Sequence, residues 1–251
     1  GGFVGSVAVL ELKNNYLQQP FFLDIYDLAG QTEPVKPAPA GIKQYLSGGQ
    51  GMSITDANWH PDFTQAAQTW LSFLPPTQQP NLPISQKGTK LVAAINLNLI
   101  TRVLEITGPI YLPDYDQTII ADNLATVARA ERSQFFAGDQ QKKQFLAALF
   151  TQLKINLNQL NHTQLEQIKN LVLNQVKQGE IQLFSTQPKI QELITTFDLG
   201  GKLKKKNSHH LLYLVESNVG INKANQQVSR NIKLKITVKI YGTSHSQLGL
   251  Y

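Results

Sequence analysis

No cysteine occurs in this chain. That excludes a disulfide framework, a thiolate metal site and a cysteine nucleophile. Charge is scarce too: only 16% of residues are Asp, Glu, Lys or Arg. Amides take their place in Gln78-Gln79, Gln140-Gln141 and the stretch from Asn156 to Gln182, so the predicted surface is polar but weakly charged. No window approaches the ~18 consecutive apolar residues of a spanning helix, and no signal peptide heads the chain. The phosphate-cradling Gly-x-x-x-x-Gly-Lys-Ser/Thr loop, the dinucleotide Gly-x-Gly-x-x-Gly turn and the Gly-x-Ser-x-Gly elbow are missing as well. Five histidines are present, His60, His162, His209, His210 and His245, and none is placed four residues from a second ligand on a helix.

What remains is a length of 251 residues with 41% hydrophobic content, enough to bury the core of one sizeable domain. The formal net charge is +6, concentrated in Lys202, Lys204, Lys205, Lys206, Lys233, Lys235 and Lys239. Such an excess fits an anionic partner or simply a solvated basic surface. No aromatic residues interleave with these lysines as a base-stacking platform requires, so nucleic acid is not the expected partner.

Periodicity gives the elements. Val4 to Leu12, a turn at Lys13-Asn14-Asn15 and an apolar run from Tyr16 to Ile25 predict a β-hairpin. Residues 31 to 51 read as a Pro/Gly-rich loop with a short helix near Ile42 to Leu46. Asp62 or Thr64 caps a helix carrying Ala67, Trp70, Leu71 and Leu74, which Pro75-Pro76 ends. Lys90 to Ile95 predicts a strand, Asn96 a cap for a helix ending at Gly108, and Ile110 to Leu112 another strand. Strand, helix and strand at this spacing predict a βαβ unit with parallel pairing.

After a short strand at Ile119-Ile120, Asp122 is placed to cap a helix bearing Arg129 and Arg132. Gln140 to Leu157 predicts a long helix, and Thr163 with Glu166 predicts a capping box for a second. Ile181 to Phe184 predicts a strand, and Pro188 sits in the first turn of a helix ending at Phe197. The last strand, Val228 to Tyr241, alternates Ile232, Leu234, Ile236, Val238 and Ile240 with polar residues, predicting one packed and one wet face.

Two residue groups carry candidate chemistry. Asp24, Asp27, Asp56 and Asp62 fall at strand ends and loops, where carboxylates can hold Mg²⁺ against a phosphate or serve as caps and turn acceptors. Arg129 and Arg132, three apart on one helix, suit a bidentate phosphate grip or an ion pair with neighbouring acids.

Three segments together resemble a known family. They are Gly1-Gly2-Phe3-Val4-Gly5-Ser6, then Asp56-Ala57-Asn58-Trp59-His60-Pro61-Asp62-Phe63, then Ser217-Asn218-Val219-Gly220-Ile221-Asn222-Lys223. With Ile106-Thr107-Gly108-Pro109-Ile110 and Lys142-Lys143-Gln144-Phe145-Leu146, they resemble the bacterial domain of unknown function 4012 along essentially the whole chain. The resemblance singles out Asp56, Asn58, Trp59, Asp62, Asn218, Asn222 and Lys223 as motif residues. Members of that family generally carry an upstream transmembrane helix, which implies a domain on the outer face of the bacterial cell membrane. A strand pattern that starts at Phe3 agrees with a preceding segment, in which any anchor would lie.

The order of elements is also similar to the LytR-CpsA-Psr family, which transfers glycan polymers from polyprenyl pyrophosphate to the cell wall. That similarity implies an α/β fold with a central mixed β-sheet flanked by helices. It also implies arginines on the pyrophosphate and acidic residues assisting a metal, with Mg²⁺ the ion to expect. The match is incomplete: the Arg-Asp pair of that family has as counterpart Asp24-Ile25-Tyr26-Asp27, without arginine, and its later arginines have as counterpart Gln140-Gln141-Lys142-Lys143. Lysine is a point charge and does not reproduce a bidentate clamp.

The expectation is therefore one α/β domain over residues 1–251, a piece of a longer membrane-anchored protein of the cell envelope that binds a ligand or partner. The alternatives are a phosphotransferase acting on lipid-linked glycans and a purely structural module. In the phosphotransferase, Asp24 or Asp27 would be base or metal ligand, Arg129 and Arg132 the clamp, and Lys142 an auxiliary charge. A long apolar tunnel opening near Arg129 would favour it.

Overall fold

The structure is a computed structural model that describes residues 5–14, 16–29, 36–45, 49–80, 82–130, 141–203, 229, 231–238 and 244–250. The chain forms two compact units, Gly1–Val215 and Glu216–Tyr251, and each is described by itself.

The first unit opens with the predicted hairpin. Its strands are β1 (Ser6–Val9), β2 (Leu12–Lys13), β3 (Tyr16–Leu17) and β4 (Phe21–Asp24). β1 pairs antiparallel with β4, Ser6 opposite Asp24, and β2 continues the ribbon against β3. Asn14 between them takes φ 51°, a left-handed conformation that Asn tolerates better than most residues. The extended run stops one residue short of expectation, because Ile25 starts helix α1 (Ile25–Ala29). The switch is local: the backbone N–H of Tyr26 donates to Asp24 Oδ1 at 3.0 Å, which satisfies a first-turn donor of the helix.

Helix α2 (Ala40–Tyr45) and a 3₁₀ turn (Ile54–Trp59) lead into α3 (Phe63–Phe73), capped by Asp62, one of the two caps that the sequence offered. Buried Ile25, Leu28, Ile42, Ile54, Phe63, Leu71, Phe73 and Leu74 form a first apolar cluster. Strand β5 (Leu91–Ile95), helix α4 (Leu97–Thr107) and strand β6 (Ile110–Leu112) follow at the expected places, with Asn96 accepting from Asn98 N–H and Gly108 at φ 82° ending the helix.

Their pairing corrects the βαβ expectation. β6 turns back through a 3₁₀ turn (Pro113–Tyr115) and pairs antiparallel with β7 (Gln117–Ile119). β5 pairs antiparallel with β8 (Ile181–Ser185), Leu91 opposite Ser185. Among the described residues every ladder is two-stranded and antiparallel, so a central mixed sheet is not found there; the α/β character is. The physical reason is that strand spacing encodes no partner. The tight Pro113–Asp116 turn, with Asp116 at φ 46°, closes a local hairpin at small entropic cost.

Helices α5 (Leu124–Ala130), α6 (Gln141–Asn158), α7 (His162–Lys177) and α8 (Pro188–Thr196) complete the unit, with Pro188 in the first turn of α8 as predicted. The entry to α5 is held by Asn123, whose Oδ1 accepts from Ile120 N–H at 2.9 Å and whose Nδ2 donates to Thr118 O at 2.8 Å. The box at α7 is Asn161 with Gln164, two residues ahead of the expected Thr163 and Glu166. An Asn cap with a Gln partner forms the same reciprocal bonds, so both spacings were chemically open. Leu99, Val103, Leu104, Ile110, Leu112, Ile119, Leu124, Phe145, Leu149, Leu153 and Ile181 form a second cluster. β8 belongs to both: Phe184 lies in the first cluster, and Ile181 with Leu183 faces the second. Coverage on both faces fits the adjacent Leu183 and Phe184, which alternate between the two sides of the strand.

The second unit contains β9 (Ile232–Val238) paired antiparallel with β10 (Ser244–Leu250), Ile232 opposite Leu250. β10 was not foreseen, because Ser-His-Ser-Gln-Leu-Gly-Leu carries little alternation. The expectation of a packed apolar face is corrected for the described part of β9: Ile232 and Leu234 are 52% and 44% exposed, like the flanking Lys233 and Lys235. A two-stranded ribbon by itself has no layer to bury its apolar side.

Candidate functional site

Helix α6 runs along the hairpin and carries the chemistry to it. Residues at i, i+7 and i+8 of a helix share a face, which for α6 groups Lys143, Phe150 and Thr151. Each meets the N-terminal hairpin or its helix: Lys143 Nζ lies 2.5 Å from Asp27 Oδ2, Phe150 packs edge-to-face on Phe22 at 6.3 Å, and Thr151 Oγ1 accepts from Gln19 Nε2 at 2.8 Å. The lysine and aspartate side chains are 16% and 22% exposed. A pair withdrawn this far from water is screened little by salt and costly to break on one side only.

At this junction of β4, α1 and α6 Asp27 meets Lys143, one position from the lysine chosen from sequence, while Asp24, the last residue of β4, turns its Oδ1 onto the Tyr26 N–H. Lys142 is the second residue of α6 and Arg129 stands in the last turn of α5; the side chains of both lie outside the described part. Arg132, Asn218, Asn222 and Lys223 lie outside the described residues. The place of Lys143 was legible in the sequence in principle, since the phase of α6 puts it with Phe150 and Thr151.

The Asp56–Phe63 motif is built differently. Asp56 Oδ2 accepts from the backbone N–H and the hydroxyl of Ser53, each at 3.1 Å. Asp62 is 4% exposed; its Oδ1 accepts from Gln65 N–H at 3.3 Å and its Oδ2 from Leu203 N–H at 3.1 Å, tying the start of α3 to the backbone 141 residues later. The Asp62 N–H donates to His60 Nδ1 at 3.0 Å. Trp59 is half-buried and packs on the first cluster, and a Cβ added at Gly41 would stand 2.9 Å from its Cζ2. Asn58 occupies the kink inside the 3₁₀ turn at φ −86°, ψ 23°. Asp56, Trp59 and Asp62 thus hold a turn, a helix start and a helix-on-ring contact.

The candidate metal group does not assemble. Asp56 and Asp62 are engaged as caps, Asp27 Oδ2 faces an ammonium, and among the described residues no three His, Asp or Glu side chains gather around a common point. This donor set does not fit a dedicated Mg²⁺ site. A cavity of about 250 Å³ is lined by Leu112, Pro113, Asp114, Ala148, Thr151 and Gln152. It shares Thr151 with the contact to the hairpin but includes none of the candidate residues chosen from sequence, and it falls below the ~300–1,000 Å³ of ordinary small-ligand pockets. Among the described residues no helix is long and apolar enough to cross a membrane.

Comparison with known proteins adds one assignment. No curated protein and no solved structure matches the chain. Residues 1–132 match the family described as "Protein of unknown function (DUF4012)". The matched part contains the Gly1–Ser6, Asp56–Phe63 and Ile106–Ile110 segments, while Lys142–Leu146 and Ser217–Lys223 lie beyond it. Since the match takes in more than half of the 251 residues, the chain belongs to the DUF4012 family.

Proposed function

We propose that this chain is an extracytoplasmic domain of the bacterial cell envelope that binds a ligand or partner at the junction of β4, α1 and α6. The observation that carries the reading is the Asp27–Lys143 pair: 116 residues of chain are closed to set a carboxylate and an ammonium together, both partly exposed. Mixed charge fixed on rigid elements suits a polar ligand such as an anionic or lipid-linked glycan, which needs both donors and acceptors.

The same junction favours a second reading, a phosphotransferase acting on polyprenyl-pyrophosphate-linked glycans. In that reading Asp24 or Asp27 is the base or metal ligand, Arg129 and Arg132 are the clamp and Lys142 is an auxiliary charge. Lysines replacing arginines weaken the phosphate clamp, which sets this reading second.

Thermal-shift titration tests both. A polyprenyl phosphate present at about 100 times its Kd stabilises a one-site binder by ~2.7 kcal/mol. A rise in melting temperature without added metal, abolished in Lys143→Met, supports the binding reading. A rise only with Mg²⁺ supports the phosphotransferase. No shift in either arm rejects a lipid-linked ligand and leaves the structural module. Localisation is checked separately by fusing a compartment reporter to the full-length protein.

A further inference from the structure

We draw no further inference here: the strongest candidate, the outer edge of β5, where Leu91 and Ile95 are exposed and no second strand pairs among the described residues, offers backbone groups to an extended segment, but nothing in the structure shows what covers it.

Discussion

Breaking the Asp27–Lys143 pair should weaken the first unit in a way that isolates the pair from its surroundings. Asp27→Asn keeps the side-chain shape and removes the charge, leaving a largely buried ammonium against an amide. Hydrogen bonds to charged groups contribute ~1.5–3 kcal/mol, and removing one partner of a fully buried pair costs ~3–5 kcal/mol. With side chains 22% and 16% exposed, the pair falls between these cases and the surface limit, so Asp27→Asn should cost about 2–3 kcal/mol. Lys143→Met retains the aliphatic stem and leaves a carboxylate that reaches water more easily; its expected cost is about 1–2 kcal/mol. The double variant should lie near the worse single one, giving a coupling energy of about 1.5 kcal/mol. The assay is urea unfolding of the four proteins followed by circular dichroism, at low salt and in 1 M NaCl, where the screening length is ~3 Å. More than half of the coupling should persist in high salt, because the charges touch and water reaches them poorly. A coupling below about 0.5 kcal/mol, or one that vanishes in 1 M NaCl, would refute the argument that this contact fastens α6 to α1.

Two further outcomes test the Asp56–Phe63 motif. Asp62→Ala removes the acceptor for both Gln65 N–H and Leu203 N–H and should destabilise the fold by about 2–3 kcal/mol in the same unfolding assay. An unchanged midpoint would show that Asp62 belongs to a binding surface rather than to the framework. Gly41→Val places a side chain where the Trp59 ring lies, at an expected cost of about 1–3 kcal/mol and with a changed emission maximum, the chain having only Trp59 and Trp70 as indole fluorophores. Unaltered emission and stability would mean that the ring does not rest on α2.

The amino-acid sequence by itself determined most of the local structure. The hairpin around Asn14, the Asp62 and Asn96 caps, the Gly108 stop, the Pro188 helix start and the run of α6 follow from short-range rules: left-handed tolerance, side-chain acceptors for orphan N–H groups, and the 3.6-residue period. Where two residues could play the same short-range part, as Asn161 and Thr163 at the start of α7, the reading from sequence went to the wrong one. Tertiary structure decided the partners. The pairing of β5 with β8 across some 90 residues, of Asp27 with Lys143 across 116 and of Asp62 with Leu203 across 141 depends on which faces pack when the two clusters form. No local pattern carries that information, because a strand's alternation or a helix's phase says which side turns inward but not what it meets there.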